Sequence, residues 1–214
     1  MTPDGISIRA VELDDLDAIA EIYSTLWCNT LRNRGDLEDA KLASRFNIAM
    51  QLERSPIALV AESGAGIVAA CCVGIFDSGS PRQNDAWEPT YRDLLGRATV
   101  RAEQGDAKLE GSLFGDSREK VTADQFAASG NEYAQGQINL IIIRPDWQGR
   151  GLGRTLIERA RAELRAQGCT KFFLMTDNQS DYAFYDHLGM VRIAEDHSQD
   201  TGDGFIVYMY GDEA

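Results

Sequence analysis

The stretch Gln137-Ile-Asn-Leu-Ile-Ile-Ile-Arg-Pro-Asp-Trp-Gln-Gly-Arg-Gly-Leu-Gly-Arg154 decides how this chain folds. Gln137, Asn139, Ile141 and Ile143 fall on one face of an extended strand, and Ile138, Leu140 and Ile142 on the other, so the strand starts polar and becomes buried on both sides. Pro145 stops it. Beyond Gly149-Arg-Gly-Leu-Gly153, the residues Leu152, Leu156, Ile157, Ala160 and Leu164 recur at helical spacing, opposite Glu158, Arg159, Arg161 and Arg165. Gly168 marks the end of that helix, and Lys171-Phe-Phe-Leu-Met175 is the next strand. A helical crossover between two strands makes them parallel neighbours.

A glycine-rich turn between a buried strand and a helix presents backbone N–H groups at the positive end of the helix dipole, which suits a phosphate or pyrophosphate. Two familiar phosphate motifs fail here. A P-loop needs a glycine five residues before a Gly-Lys-Ser/Thr triplet, but Gly153 is followed by Arg154 and Gln148 stands at that distance. The dinucleotide fingerprint needs a third glycine three residues after the second, where Arg154 or Leu156 stands instead. A turn that merely lets a helix pack on a sheet accounts for one or two of the alternate glycines, not all three.

Reading outward, residues 6–11 alternate as a first strand, and Leu16, Ile19, Ala20, Ile22 and Tyr23 begin a helix. A second helix covers about residues 37–52, through Leu42, Phe46, Ile48 and Met50. Residues 57–62 and 67–76 form a hairpin about the turn at 63–66. At the far end, residues 181–188 read as a short helix, and 191–194 and 205–210 as a last antiparallel pair. Residues 78–131 differ: they are rich in charge, glycine and serine, with weak helical patterns at 91–100 and 123–128. They read as an insertion, helical or partly disordered, between the third and fourth strands of one domain spanning 1–214. It has three readings: a lid over the acceptor site, a dimerisation element that would make the protein a homodimer, or a floppy excursion. The fold class is α/β with a mixed sheet.

With 214 residues, 43% of them hydrophobic, the chain can build a core without staples. Thirty-four acidic against 21 basic residues give a net charge of -13, which repels nucleic-acid backbones. The longest near-apolar run, 66–76, is too short for a membrane span. Met1-Thr-Pro-Asp-Gly-Ile shows no signal peptide, so the expected compartment is the cytoplasm. Cys28, Cys71, Cys72 and Cys169 form no CxxC pair and read as core residues. With only His187 and His197, a histidine-based zinc site is nearly excluded, and no metal is expected.

Asn139 to Thr155 resembles motif A of the GNAT acetyltransferases, a Gln/Arg-x-x-Gly-x-Gly/Ala run after a strand, matched by Gln148, Gly151 and Gly153. Downstream, Asn178, Phe184-Tyr185 and Gly189 resemble the family's second signature, with Met190 where phenylalanine is usual. The two motifs cover residues 137–190 and agree with the upstream order of elements. The resemblance implies a mostly antiparallel central sheet flanked by helices, and acetyl-CoA as co-substrate. It places the pantetheine arm on the backbone of Ile141, Ile142 and Ile143, with Asn178 holding the pantetheine as well. The pyrophosphate falls on Gln148, Gly149, Arg150, Gly151, Leu152, Gly153 and Arg154. Tyr185 matches the family's general acid, although a tyrosine there is also an ordinary packing residue.

The implied reaction is direct attack by a primary amine of a small molecule or peptide in a ternary complex. The family's usual glutamate positions correspond to Gln137 and Phe173, which accept no proton. Glu132, at the start of the strand, stands as a candidate base, with His197, Asp177 and a water chain to solvent as alternatives. Glu195, Asp196, Asp200 and Asp203 in the turn 195–204 suggest a cationic acceptor, against the plain reading of a solvated charge run. That turn and the base of the insertion are expected at the end of the sheet opposite the glycine turn. The competing classes are a non-catalytic acyl-CoA-binding sensor, which the missing strand glutamate permits, and a scaffold that binds no CoA.

Overall fold

A computed structural model describes residues 5–115, 117–198, 200 and 202–214. Residues 1–4 of the N-terminal reading, Asp116 of the charged segment, and Gln199 and Thr201 of the acidic turn lie outside them. The elements run β1 (Ser7–Ala10), α1 (Leu16–Trp27), α2 (Asn29–Arg34), α3 (Leu37–Glu53), β2 (Ile57–Ser63), β3 (Gly66–Asp77) and β4 (Ser80–Pro81). Then come α4 (Glu88–Glu103), α5 (Ala107–Phe114), α6 (Ser117–Ala128), β5 (Gly136–Ile143) and α7 (Leu152–Ala166). The chain closes with β6 (Lys171–Asp177), α8 (Ala183–His187), β7 (Val191–Asp196) and β8 (Val207–Glu213).

The strands form a sheet in the order β1-β2-β3-β5-β6-β8-β7, with the two-residue β4 on the end of β3. Every adjacent pair is antiparallel except β5 with β6, the two strands joined through α7. The decisive stretch therefore folds as its periodicity demands. Burial then divides the molecule into two layers. On one face α1, α3, α4 and α5 cover Val60, Ala70, Cys72 and Ile142. On the other, Leu156, Ala160 and Leu164 of α7 cover Cys71, Val73 and Ile138. Cys71 and Cys72 thus point into opposite layers, and all four cysteines are buried free thiols.

Two departures from the sequence reading, and the form taken by the 78–131 segment, bear on function. Residues 29–34 add a third helix after the first strand, closed by Gly35 in the left-handed conformation. The segment 78–131 is helical: Trp87, Leu94, Leu109 and Leu113 enter the α1–α3 core, while Ala123 and Ala127 of α6 pack on Phe76 and Phe173. The acidic turn lies at the glycine-turn end of the sheet, not at the insertion end. The reason is a second parallel crossover: β7 follows β6 through α8 and runs parallel to it, so Asp196 stands level with Val207 and Asp177. That end is where β5 runs into the glycine turn. Among the described residues no helix is long and apolar enough to cross a membrane.

Candidate active site

The seam between β5 and β6 holds only two register pairs, Gln137 with Phe173 and Ile138 with Leu174. Past Leu174 the two strands diverge, leaving the edge of β5 over Asn139–Ile143 without a strand on that side. An unpaired strand edge offers amide and carbonyl groups to an extended ligand. Just past the last pair β5 bulges: Cys72 and Val73 oppose Leu140 and Ile138, so Asn139 is the extra residue. Its Nδ2 donates to Ser55 Oγ at 2.8 Å and to the Arg54 carbonyl at 3.3 Å, tying the bulge to the end of α3.

At the open end stands the glycine turn. Gly149 and Gly151 have φ of +73° and +79° with open space around them, a conformation that side chains disfavour. Gly153 serves otherwise: a Cβ there would lie 2.9 Å from Phe184 Cζ, so its role is to let α7 approach α8. The backbone N–H groups from Gly149 to Arg154 find no acceptor among the described residues. Among the described residues no side chain caps α7. Six consecutive donors at a helix N-terminus, with the exposed Arg154 alongside, constitute an anion nest. Trp147 supports the turn: Arg150 stacks on its ring at 4.7 Å and donates to the Asp146 carbonyl at 2.9 Å. Gln148 Nε2 donates to the carbonyl of Ile143 at 3.2 Å, fastening the turn to the end of β5.

The opposite lip is built on Asn178. Its Oδ1 accepts from the Ile206 amide at 3.1 Å and its Nδ2 donates to the Gly204 carbonyl at 2.8 Å, clamping the acidic turn to the end of β6. The carboxylates of that turn are engaged. Asp200 accepts from the amides of Gly202 and Gly204, which hold it below the usual carboxylate range. Asp196 accepts from Thr122 Oγ1 of α6 at 2.8 Å, and Glu195 pairs with Arg192 at 3.1 Å. Tyr185 lies buried on α8 in the α7 layer, its ring 5.6 Å from that of Tyr210. Ile141–Ile143 run into the glycine turn, Asn178 follows β6 at the same end of the sheet, and Tyr185 lies on α8 in the layer that α7 shares. Glu132 is set apart: it is exposed and pairs with Lys171 at 2.6 Å, at the other end of β6. His197, 3.7 Å from Glu195, stands on the outer turn.

The family model for the Acetyltransferase (GNAT) family matches residues 19–190. The chain belongs to that family. Within it, the mycothiol acetyltransferase of Rhodococcus jostii (strain RHA1) is 41% identical over 69 residues, 31% of this chain and 23% of that protein. The mycothiol acetyltransferase of Beutenbergia cavernae is 38% identical over 63 residues, 28% of this chain and 21% of that protein. Each match thus spans less than a quarter of the relative's length. Among solved structures, yncA from Salmonella typhimurium with its cofactor acetyl-CoA has a TM-score of 0.52 at 17% identity, covering 98% of this chain and 94% of that one. The PaiA N-acetyltransferase of Thermoplasma acidophilum in complex with coenzyme A scores 0.55 at 12% identity, covering 98% and 99%. These likenesses show the GNAT fold.

Sequence reasoning passed over the residues on the other side of the bulge. Glu53 and Arg54, at the end of α3, are buried with only 6% and 8% exposure. The signal was present: Phe46, Ala49 and Met50 place an apolar residue at position 53 by helical spacing, and a glutamate stands there instead.

Proposed function

We propose that this GNAT protein is an acetyl-CoA-dependent N-acetyltransferase acting on a primary amine of a small molecule or peptide, with the whole chain forming one catalytic domain. The observation that carries the reading is the row of unmatched N–H groups from Gly149 to Arg154 beside the unpaired edge of β5. These residues fit acetyl-CoA, whose pyrophosphate needs a cluster of donors and whose pantetheine amides need a strand edge. When bound, it supplies an activated acetyl thioester. Gln148–Arg154 hold the phosphates and Ile141–Ile143 the arm, while Asn178 fixes the far lip. A backbone N–H of β5 at the Asn139 bulge polarises the acetyl carbonyl. Tyr185 gives a proton to the departing sulfur. The names of the mycothiol acetyltransferases support a small-molecule acceptor.

Isothermal titration with acetyl-CoA on the wild type and on Gly151→Glu tests the reading. The variant sets a carboxylate at the nest and should weaken binding by more than about 100-fold, or ~2.7 kcal/mol. Equal affinity of the two proteins, or no binding by the wild type, overturns it.

A further inference from the structure

Two largely buried polar side chains near the Asn139 bulge, Gln137 and Glu53, find no side-chain hydrogen-bond partner among the described residues. Gln137 is in register with Gly74 and Phe173, so it shares the sheet face that α6 covers through Phe126, Ala123 and Ala127. Its Oε1 is buried and accepts no hydrogen bond among the described residues. The Glu53 residue is 6% exposed; its carbonyl accepts from the Asn84 amide at 2.7 Å, and its carboxylate makes no hydrogen bond or ion pair among the described residues. It immediately precedes Arg54, whose carbonyl accepts from Asn139 and lies 3.4 Å from where a Cβ on Gly74 would stand. Gly74 is the register neighbour of Gln137, so the end of α3 sits over that part of the floor.

We propose that Glu53 and Gln137 line the pocket that receives the acceptor's ammonium group, with Glu53 taking its proton before attack, a proposal that rests on the acetyltransferase reading above. Two acceptor side chains without donors are the complement of a primary ammonium, which brings three donors and no acceptor. An unpaired buried carboxylate is costly, and a ligand cation would remove that cost. The neighbouring protein charges do not do so. Around Glu53 stand Arg54 beyond its own helix, Glu88 and Tyr91 on α4, and Lys120 on α6. Arg54 and Lys120 are both held by Asp124, at 2.6 and 2.8 Å.

Burial pushes the Glu53 carboxyl above its ordinary range and Glu88 pushes it further, while Arg54 and Lys120 pull it back. A raised carboxyl is the better proton acceptor at neutral pH. The ammonium gives one proton to Glu53, and the freed lone pair forms the new C–N bond as the C–S bond breaks. Tyr185 protonates the departing sulfur and is reprotonated by the second amine proton. Glu53 releases its proton to solvent, so one proton is set free per turnover.

The test uses the full chain with glucosamine, L-alaninamide, L-lysine amide and spermidine as acceptors, thiol release as readout, and acetyl-CoA calorimetry alongside. At least one amine should give amine-dependent thiol release. For it, Glu53→Gln should lower kcat/KM at neutral pH by more than about 30-fold, with recovery as pH rises toward the amine's own pKa. The acetyl-CoA Kd should stay within about twofold, and the thermal midpoint in mild alkali should match or exceed the wild type, because a desolvated charge has been removed. A Glu53→Gln enzyme with wild-type rates, or one whose midpoint falls by more than about 10 °C, overturns the proposal. So does a wild type that binds acetyl-CoA but transfers to none of the four amines. Gln137→Leu supplies an independent arm: its amine KM should rise at least about fivefold with kcat held, and an unchanged KM refutes the pocket. A wild type that binds no acetyl-CoA fails the acetyltransferase reading first, and the calorimetry identifies that case.

Discussion

Asp124→Asn should loosen α6 from the rest of the fold by an amount the structure allows to be worked out. The Arg54 side chain is 9% exposed and its Nη2 lies 2.6 Å from Asp124 Oδ1, which makes this carboxylate its one ion-pair partner among the described residues. Removing one member of a buried pair strands the other charge and costs about 3–5 kcal/mol. Asp124 itself is 39% exposed and also holds Lys120 at 2.8 Å, so water and a second cation reduce that figure to about 2 kcal/mol. For a chain of this size such a loss lowers the thermal midpoint by about 4–8 °C. Urea unfolding of Asp124→Asn, Arg54→Met and the double variant closes a double-mutant cycle, with an expected coupling of about 1.5–2 kcal/mol. The coupling should also depend on pH. Burial pushes the Asp124 carboxyl up, but the hydrogen bonds from Arg54 and Lys120 together bring it below the ordinary range. A lowered carboxyl contributes stability above its unfolded pKa and loses it as pH falls through the folded value, so the coupling should fade in acid. A coupling under about 0.5 kcal/mol at neutral pH would falsify the account.

Three further outcomes follow from the same packing. Gly153→Ala should destabilise by about 1–3 kcal/mol in chemical denaturation, because the added methyl meets Phe184 Cζ at 2.9 Å and Ile143 Cδ1 at 3.3 Å. Tyr185→Phe should lower kcat by about 10-fold or more with little change in acetyl-CoA affinity by calorimetry, and an unaltered kcat removes it from the chemistry. Burial pushes the Cys71 thiol up to about 12 and the Cys72 thiol higher still, so native protein should leave both unreacted with a disulfide reagent until it unfolds.

The half of the fold built on local periodicity was legible in sequence. The strand at 137–143, the helix from Leu152 and the strand from Lys171 each bury a face that their spacing announces. The nest was legible for a similar reason, since glycines on alternate positions have few other uses at a helix start. Their division of labour was not: whether a glycine serves a left-handed φ or a close approach depends on Phe184, about 30 residues away in sequence and adjacent only in the folded chain. The direction of β7 was misread because strand order is a non-local property. The sequence shows that 191–194 is a strand, but not that its partner β8 lies between it and β6. Glu53 was missed because a glutamate near a helix end is ordinary until tertiary packing removes its water.

The narrowness of the β5–β6 seam changes how the 78–131 segment should be regarded. Two register pairs are a weak weld between the half of the sheet that carries β1, β2, β3 and β5 and the half that carries β6, β8 and β7. The segment leaves the first half from β3, and its last helix lies on Phe173 and near Ile193 of the second, with Thr122 bonded to Asp196. It works as a buttress: it spans the split on the face opposite α7 and fixes how far the two halves stand apart. The gap it borders is the one proposed above for the acyl donor. Trimming the segment to make a smaller domain would therefore alter the width of the opening before it altered any residue that lines it.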